Sequence, residues 1–184
     1  MLFELAEINI PTMHIKIIPE KNNRDFRIVK NNETIIQVLK PKWYSSKASF
    51  FFNNKSYVIK KKSFWSLDHH IYQSGIYKGR IIHSWSGHYS ISICKYKKEI
   101  NRYTMSVEKP KGWFKSDTKY SILDKEGKVI LSIQYTYKKW KGVYTAELDD
   151  SDNLHYEILV YAYLIIQWKQ QAASAGMAMP MGIY

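Results

Sequence analysis

Residues 155–171 read HYEILVYAYLIIQWKQQ, and within this segment residues 158–166 are all apolar or aromatic. A helix that is hydrophobic on every side must be surrounded by protein on every side. The run is too short to cross a bilayer, which takes about 20 such residues, and polar residues such as Glu157 and Lys169 close it off. The sequence therefore predicts a buried helix, which the rest of the chain must enclose.

The segments that precede this helix have the pattern of short β-strands. Regular short strands separated by turn residues are typical of an all-β barrel or sandwich, and a buried terminal helix favours a closed antiparallel barrel around it. Turn residues occur at Asn31-Asn32, Asn53-Asn54, Ser74-Gly75, Lys78-Gly79, Gly87, Gly112 and Glu126-Gly127. The predicted strands lie within residues 26–29, 34–39, 48–52, 57–60, 76–85, 89–96, 103–107, 120–123, 129–135 and 143–148.

The chain has 184 residues, which is enough for one well-filled core and short for two. We expect one mainly β domain over residues 1–171, with the enclosed helix over residues 154–171. Residues 172–184 form a Met-rich tail that we expect to be frayed. Cys94 is the single cysteine, so no internal disulfide can form and a reducing cytoplasm fits best. The N-terminus lacks a basic region and a cleavage site, so we expect no signal peptide.

Two segments of the chain resemble each other. Residues 26–39 and residues 120–133 place their apolar residues and their polar turn in the same order, so that Ile28 corresponds to Ile122. Each segment reads as a strand, a turn and a longer strand. The similarity predicts two hairpins of one kind, although hairpins resemble one another by pattern alone.

The chain is strongly basic. It contains 28 Lys and Arg against 16 Asp and Glu, which gives a formal charge of +12. Such a charge favours acidic partners, namely nucleic acid, anionic lipid or an acidic protein surface. The alternative is a solvated, Lys-rich surface without a specific partner.

The order of these features resembles the tubby C-terminal-like superfamily, which includes the LURP-one-related proteins and the phospholipid scramblases. The shared features are a series of strands, a hairpin with Tyr120, Ile122, Asp124 and Gly127, an acidic turn and a wholly apolar terminal helix. The resemblance implies a closed antiparallel barrel of about twelve strands threaded by the C-terminal helix. It also implies lipid binding, since the tubby branch binds phosphoinositides through cationic barrel residues, but those residues are not matched one by one here.

An acidic segment, Asp150-Ser151-Asp152-Asn153, precedes the helix. Scramblases place a similar segment before their terminal helix, where it is linked to calcium. As a calcium site it is poor, because it lacks the central glycine and the distal glutamate of an EF-hand loop. The same residues suit a helix cap, with Asp152 or Asn153 as N-cap and Glu157 in the first turn near the positive end of the helix dipole.

Lysines beside aromatic residues form the candidate binding site. Lysine attracts anionic headgroups, tryptophan settles at the headgroup level, and each lysine near an anionic surface contributes about 1 kcal/mol. In the structural alternative, the tryptophans plug the barrel ends and the lysines keep the surface soluble. The candidate residues are Lys60, Lys61, Lys62, Lys109, Lys111, Trp113, Lys138, Lys139, Trp140 and Lys141.

Metal and catalytic chemistry has weaker support. His69-His70, His83, His88 and Cys94 lack zinc-site spacing, so we expect surface or turn histidines and no metal. Adjacent strand residues face opposite sides, so only one histidine of the pair can join Asp68 in one site. The segment before Gly87 lacks the first glycine of a hydrolase elbow. We therefore expect no catalysis and no cofactor.

The sequence thus predicts a non-catalytic cytoplasmic module that binds anionic phospholipid or a phosphoinositide-like headgroup peripherally. The competing hypothesis is a protein-interaction scaffold without a lipid role, in which the Met-rich tail docks on a partner. Nucleic-acid binding ranks lower, because no zinc finger, helix-turn-helix or RNA-recognition octapeptide occurs. No segment of the sequence is a transmembrane candidate.

Overall fold

The computed structural model describes residues 14–21, 24–41, 46–84, 87–96, 98–108, 117–138, 141–148 and 152–174. Within these residues the chain forms twelve β-strands followed by one α-helix. The strands are β1 (His14–Pro19), β2 (Phe26–Lys30), β3 (Glu33–Leu39), β4 (Ala48–Phe52), β5 (Lys55–Lys61), β6 (His69–Gln73), β7 (Ile76–His83), β8 (Tyr89–Lys95), β9 (Lys98–Glu108), β10 (Thr118–Leu123), β11 (Val129–Lys138) and β12 (Lys141–Leu148), and the helix is α1 (Asn153–Ser174). Each predicted run coincides with one of these strands, but the sequence pattern predicts neither β1 nor β6.

The strands form one closed sheet in which each strand pairs antiparallel with its neighbours in the chain. Pairing of β1 with β12 closes the barrel, with Ile15 opposite Ala146 and Ile17 opposite Tyr144. Closure satisfies the backbone groups that an open sheet leaves unpaired at its edges. The prediction of a closed antiparallel barrel with a C-terminal helix is confirmed.

Helix α1 fills the interior of this barrel. Residues 156–167 are all buried, whichever side of the helix they occupy. Rings from distant strands contact the helix: the centroid of Tyr163 lies 4.6 Å from that of Phe26 in β2 and 5.0 Å from that of Tyr144 in β12. The helix ends at Ser174, beyond the predicted end. The expectation that the apolar run is enclosed on every side is confirmed.

The helix begins where the sequence supplies a cap. The backbone N–H of Leu154 donates to Asp152 Oδ1 at 2.8 Å, so Asp152 is the N-cap. Asp152 is one of the two N-cap residues that the sequence predicts. Asn153 is therefore the first helical residue. The placement of Glu157 in the first turn is wrong, because this residue lies in the second turn and is buried inside the barrel. Asp150 lies outside the described residues.

The buried carboxylate of Glu157 is paired with groups from two strands. Lys78 Nζ of β7 lies 2.7 Å from Glu157 Oε2, and the hydroxyl of Tyr57 in β5 donates to Oε1 at 2.7 Å. The hydroxyl of Tyr161 adds a longer hydrogen bond of 3.4 Å. A buried charge without partners is strongly destabilising. These contacts therefore fix the rotation of the helix relative to β5 and β7.

Tight turns join several pairs of strands. Asn31-Asn32 have φ angles of 50° and 67°, Asn53-Asn54 of 48° and 58°, and Ser74-Gly75 of 48° and 80°. Asparagine and glycine tolerate this left-handed conformation better than other residues, and such turns match the twist of a two-residue hairpin. The turns predicted at these three positions are confirmed.

The two hairpins with similar sequences share an irregularity. Hairpin β2–β3 pairs Ile28 with Ile36, and hairpin β10–β11 pairs Ile122 with Leu131. In each hairpin the register shifts directly after the first of these residues, which places a β-bulge at the corresponding position of the first strand. A shift of the same kind follows Ile71 in hairpin β6–β7 and Ile93 in hairpin β8–β9, so it does not distinguish the two hairpins with similar sequences.

The turn predicted at Lys78-Gly79 is wrong. Both residues lie inside β7, where Gly79 is opposite Ile71 of β6 and Ile93 of β8. A Cβ atom at Gly79 would collide with the carbonyl oxygen of Ser92. This glycine allows two strands to approach closely and does not reverse the chain.

Replacing Lys78 by methionine tests the buried ion pair. Lys78→Met leaves Glu157 buried without its cation, and we expect the free energy of unfolding, measured by chemical denaturation, to fall by about 3–5 kcal/mol. Adding Glu157→Gln removes the unpaired charge and should recover part of this loss. The exposed control Lys55→Met should change stability by less than about 0.5 kcal/mol. A Lys78→Met variant as stable as the wild type would contradict the pairing.

Candidate functional site

The two ends of the barrel differ in the length of their connections. Because the strands alternate in direction, the connections after odd-numbered strands leave from one end, called the loop end, and those after even-numbered strands leave from the other, called the turn end. At the turn end, residues 31–32 connect β2 to β3, and residues 53–54 connect β4 to β5. At the loop end, residues 40–47 connect β3 to β4, and residues 62–68 connect β5 to β6. Long connections on a rigid scaffold are where binding residues concentrate.

The structure describes only part of the predicted lipid-binding site. Of the predicted site, Lys109, Lys111, Trp113, Lys139 and Trp140 lie outside the described residues, and only the backbone is described for Lys138 and Lys141. The described part of the predicted site is therefore the cluster Lys60, Lys61 and Lys62.

The connection between β5 and β6 presents two aromatic side chains to solvent. Phe64 is 81% exposed and Trp65 is 89% exposed, and their rings pack edge to face with centroids 5.0 Å apart. Hydrogen bonds close the turn, since the N–H of Ser66 donates to the Ser63 carbonyl oxygen at 3.2 Å and the N–H of Asp68 donates to Ser66 Oγ at 3.0 Å. Phe64 and Trp65 are called the aromatic tip below.

Three consecutive exposed lysines lead into the aromatic tip, namely Lys60, Lys61 and Lys62. Their charge affects nearby histidines. Burial, followed by the charge of Lys61, lowers the pKa of His69, and burial, followed by the charge of Lys62, lowers the pKa of His70. Positive charge is therefore concentrated at the base of the aromatic tip.

A basic and aromatic patch continues from these lysines along β5, β6 and β7. Lys60 pairs with His70, and His70 pairs with Arg80, so three basic residues form a row across the strands. Lys60 Nζ lies 4.8 Å from the centroid of the Tyr72 ring. The rings of Tyr72 and Tyr77 pack edge to face at 6.0 Å. The rings of Tyr72 and Tyr77 thus pack against each other. Single-stranded nucleic acid requires ring faces on which bases stack, so this arrangement does not favour nucleic-acid binding.

His69 is buried, which corrects the expectation of a surface or turn histidine. It is 7% exposed, and its ring stacks on that of Trp168 in α1 with centroids 4.0 Å apart. Burial, followed by the charge of Lys61, lowers the pKa of His69 to about 4. The ring is therefore neutral at neutral pH, and together with Trp168 it fills the loop end of the barrel.

The other polar groups considered from the sequence have structural contacts. Asp68 Oδ1 accepts a hydrogen bond from the backbone N–H of His83 at 3.4 Å, which links β6 to the end of β7. The N–H of Ser84 donates to the carbonyl oxygen of His88 at 2.9 Å and closes the turn after β7. Within the described ranges, no group of three or more His, Cys, Asp and Glu residues is placed to hold a metal ion.

The aromatic tip is the part of the candidate site that sequence analysis does not predict. Phe64 and Trp65 follow the three lysines within a polar segment between two strands. An isolated aromatic pair beside a run of lysines is the signal that could identify it. Side chains of this kind are ordinarily buried, so only the geometry of the turn shows that they face solvent.

Comparison with known proteins provides no relative from which a function could be transferred. No protein-family model, no curated protein and no solved structure matches this chain. In the part of the chain that the structure describes, no helix has both the length and the apolar character needed to cross a bilayer. The function must therefore be inferred from the geometry of the site.

The buried ring of His69 makes stability depend on pH. The folded state holds its pKa at about 4, against an ordinary value of 6.5, so the unfolded chain binds the proton first as the pH falls. Above about pH 6.5 the neutral ring contributes about 3 kcal/mol to the free energy of unfolding. This contribution is lost as the pH falls toward 4.

We expect His69→Phe to flatten this decrease in a series of denaturation curves recorded between about pH 7 and pH 4. The matched control is His70→Phe, because His70 is the next residue in β6 and is only half-buried. This control should retain most of the decrease. An equal decrease in wild type and His69→Phe would show that another group is responsible.

Proposed function

We propose that this chain is a non-catalytic β-barrel module that binds the surface of anionic phospholipid membranes through its loop end. The observation that carries the proposal is the aromatic tip, where Phe64 and Trp65 are 81% and 89% exposed and are separated from three exposed lysines by one residue, Ser63. Aromatic side chains that enter the interface and lysines that attract anionic headgroups are the two components of peripheral membrane binding.

The aromatic tip suits the boundary between water and lipid. Tryptophan is enriched at the headgroup level, and burial of a phenylalanine side chain contributes about 1.5–3 kcal/mol. Hydrogen bonds of Ser66 and Asp68 close the turn that carries the two rings. Because the turn is already ordered, insertion loses little conformational entropy.

The lysines provide selectivity for negative charge. At about 1 kcal/mol for each residue near an anionic surface, Lys60, Lys61 and Lys62 together contribute about 3 kcal/mol. Salt screens this attraction, because the Debye length falls to about 3 Å at 1 M ionic strength. The net charge of +12 adds attraction at longer range. Binding is therefore reversible, selective for anionic lipid and sensitive to salt.

Two further statements belong to this proposal. Membership of the tubby C-terminal-like superfamily stays a prediction from the sequence, and membrane binding through the aromatic tip does not require it. Action at the cytoplasmic face of a membrane is likewise proposed. A protein-interaction scaffold would use the same exposed tip, but its binding would be indifferent to the charge of a lipid surface.

Co-sedimentation with vesicles tests the proposal. Vesicles of phosphatidylcholine alone are compared with vesicles that also contain phosphatidylserine, each at low and at high salt. We expect the wild type to bind only the anionic vesicles, at low salt. Phe64→Ser combined with Trp65→Ser should weaken binding about tenfold or more, and Lys60→Gln, Lys61→Gln and Lys62→Gln together about a hundredfold.

Variants at the turn end are the matched controls. Replacing exposed Lys55, Lys98 and Lys128 by glutamine removes the same charge, and Ile76→Ser with Tyr96→Ser removes two exposed apolar side chains. Both controls should bind nearly as the wild type does. Equal losses of vesicle binding in the loop-end variants and the turn-end variants would contradict the proposal. Absence of binding to either vesicle would also contradict it and would assign the tip to a protein partner.

A further inference from the structure

A cavity of about 510 Å³ opens where strands β8 and β9 differ in length. The pairing of these strands ends at Ser90 and Thr104 on the loop-end side, but β9 continues to Glu108. The volume lies within the range of about 300–1,000 Å³ that is typical of small-ligand sites. The lining consists of Gly87, His88, Tyr89, residues 104–107, Leu123 and Lys169.

The lining combines apolar side chains with a cation. Met105 and Val107 of β9 are half-buried hydrophobic residues on the inner face of the sheet, whereas Leu123 of β10 pairs with Thr104 and lies on the outer face. Lys169 of α1 is exposed and supplies positive charge. None of the lining residues is acidic. This combination fits a ligand that has an apolar chain and an anionic group.

The position of Lys169 is defined by its neighbours. Its Nζ atom lies 5.3 Å from the centroid of the Tyr89 ring, and the same ring stacks with that of His83 at 4.2 Å. After burial, the charge of Lys169 lowers the pKa of His83. The positive field of the lysine therefore extends over the end of β7 and the beginning of β8, beside the cavity.

We infer that this cavity binds a single-chain anionic amphiphile of the fatty-acid class, with its carboxylate at Lys169 and its alkyl chain against Met105 and Val107. The affinity should rise about fourfold for each methylene buried, until the cavity is full. The inference goes beyond membrane binding and does not rest on it, because the cavity and the aromatic tip share no residue.

Calorimetric titration of the full chain with dodecanoate, below its micelle concentration and without vesicles, tests the inference. We expect saturable binding to one site, and binding about tenfold weaker for dodecanol, which lacks the charge. Lys169→Met should weaken dodecanoate binding about tenfold and remove the preference over dodecanol. The control Lys55→Met, at an exposed position of the turn end, should bind as the wild type does.

A second variant tests the cavity by filling it. Val107 lies on the same face of β9 as Met105 and lines the cavity, so Val107→Trp should abolish binding of both ligands, with the melting temperature as the check that the variant is folded. The variant Phe64→Ser with Trp65→Ser should bind dodecanoate normally, which separates this inference from membrane binding. Absence of saturable binding, or unchanged affinity in Lys169→Met and Val107→Trp, would overturn the inference.

Discussion

The structure depends on the burial of one helix that has no polar face. Residues 156–167 of α1 are buried on all sides, so the sheet has to close around them. The barrel depends equally on the helix, because a closed sheet of twelve strands encloses more space than its own side chains fill. Helix and barrel thus form one core, and the contacts of Glu157 with Lys78 and Tyr57 determine how the helix sits in it.

The enclosed helix also divides the molecule into two ends with different properties. The helix begins at the turn end, after β12, and finishes at the loop end, where Trp168 stacks on His69. The loop end carries the longer connections, the aromatic tip and Lys169 beside the cavity. Because the helix occupies the interior, both proposed binding sites lie at this end of the barrel.

Local patterns in the sequence predict most of the fold, and contacts between distant segments account for what they miss. Alternation and Asn-rich turns are local signals, so they predict the hairpins. His69 is a core residue because Trp168, from the far end of the chain, covers it. Gly79 has a close neighbour in β8 that no local pattern indicates. Phe64 and Trp65 are exposed only because a hydrogen-bonded turn holds them outward.

Hydrogen–deuterium exchange of the α1 backbone amides tests the enclosed helix most directly. If residues 158–166 are the core, their amides exchange only through global unfolding, with the opening free energy that denaturation gives for the whole protein. Gln170 and Gln171, which are exposed in the same helix, exchange faster and serve as an internal reference. Rapid exchange of residues 158–166, while the barrel strands stay protected, would place the helix outside the barrel and contradict the account.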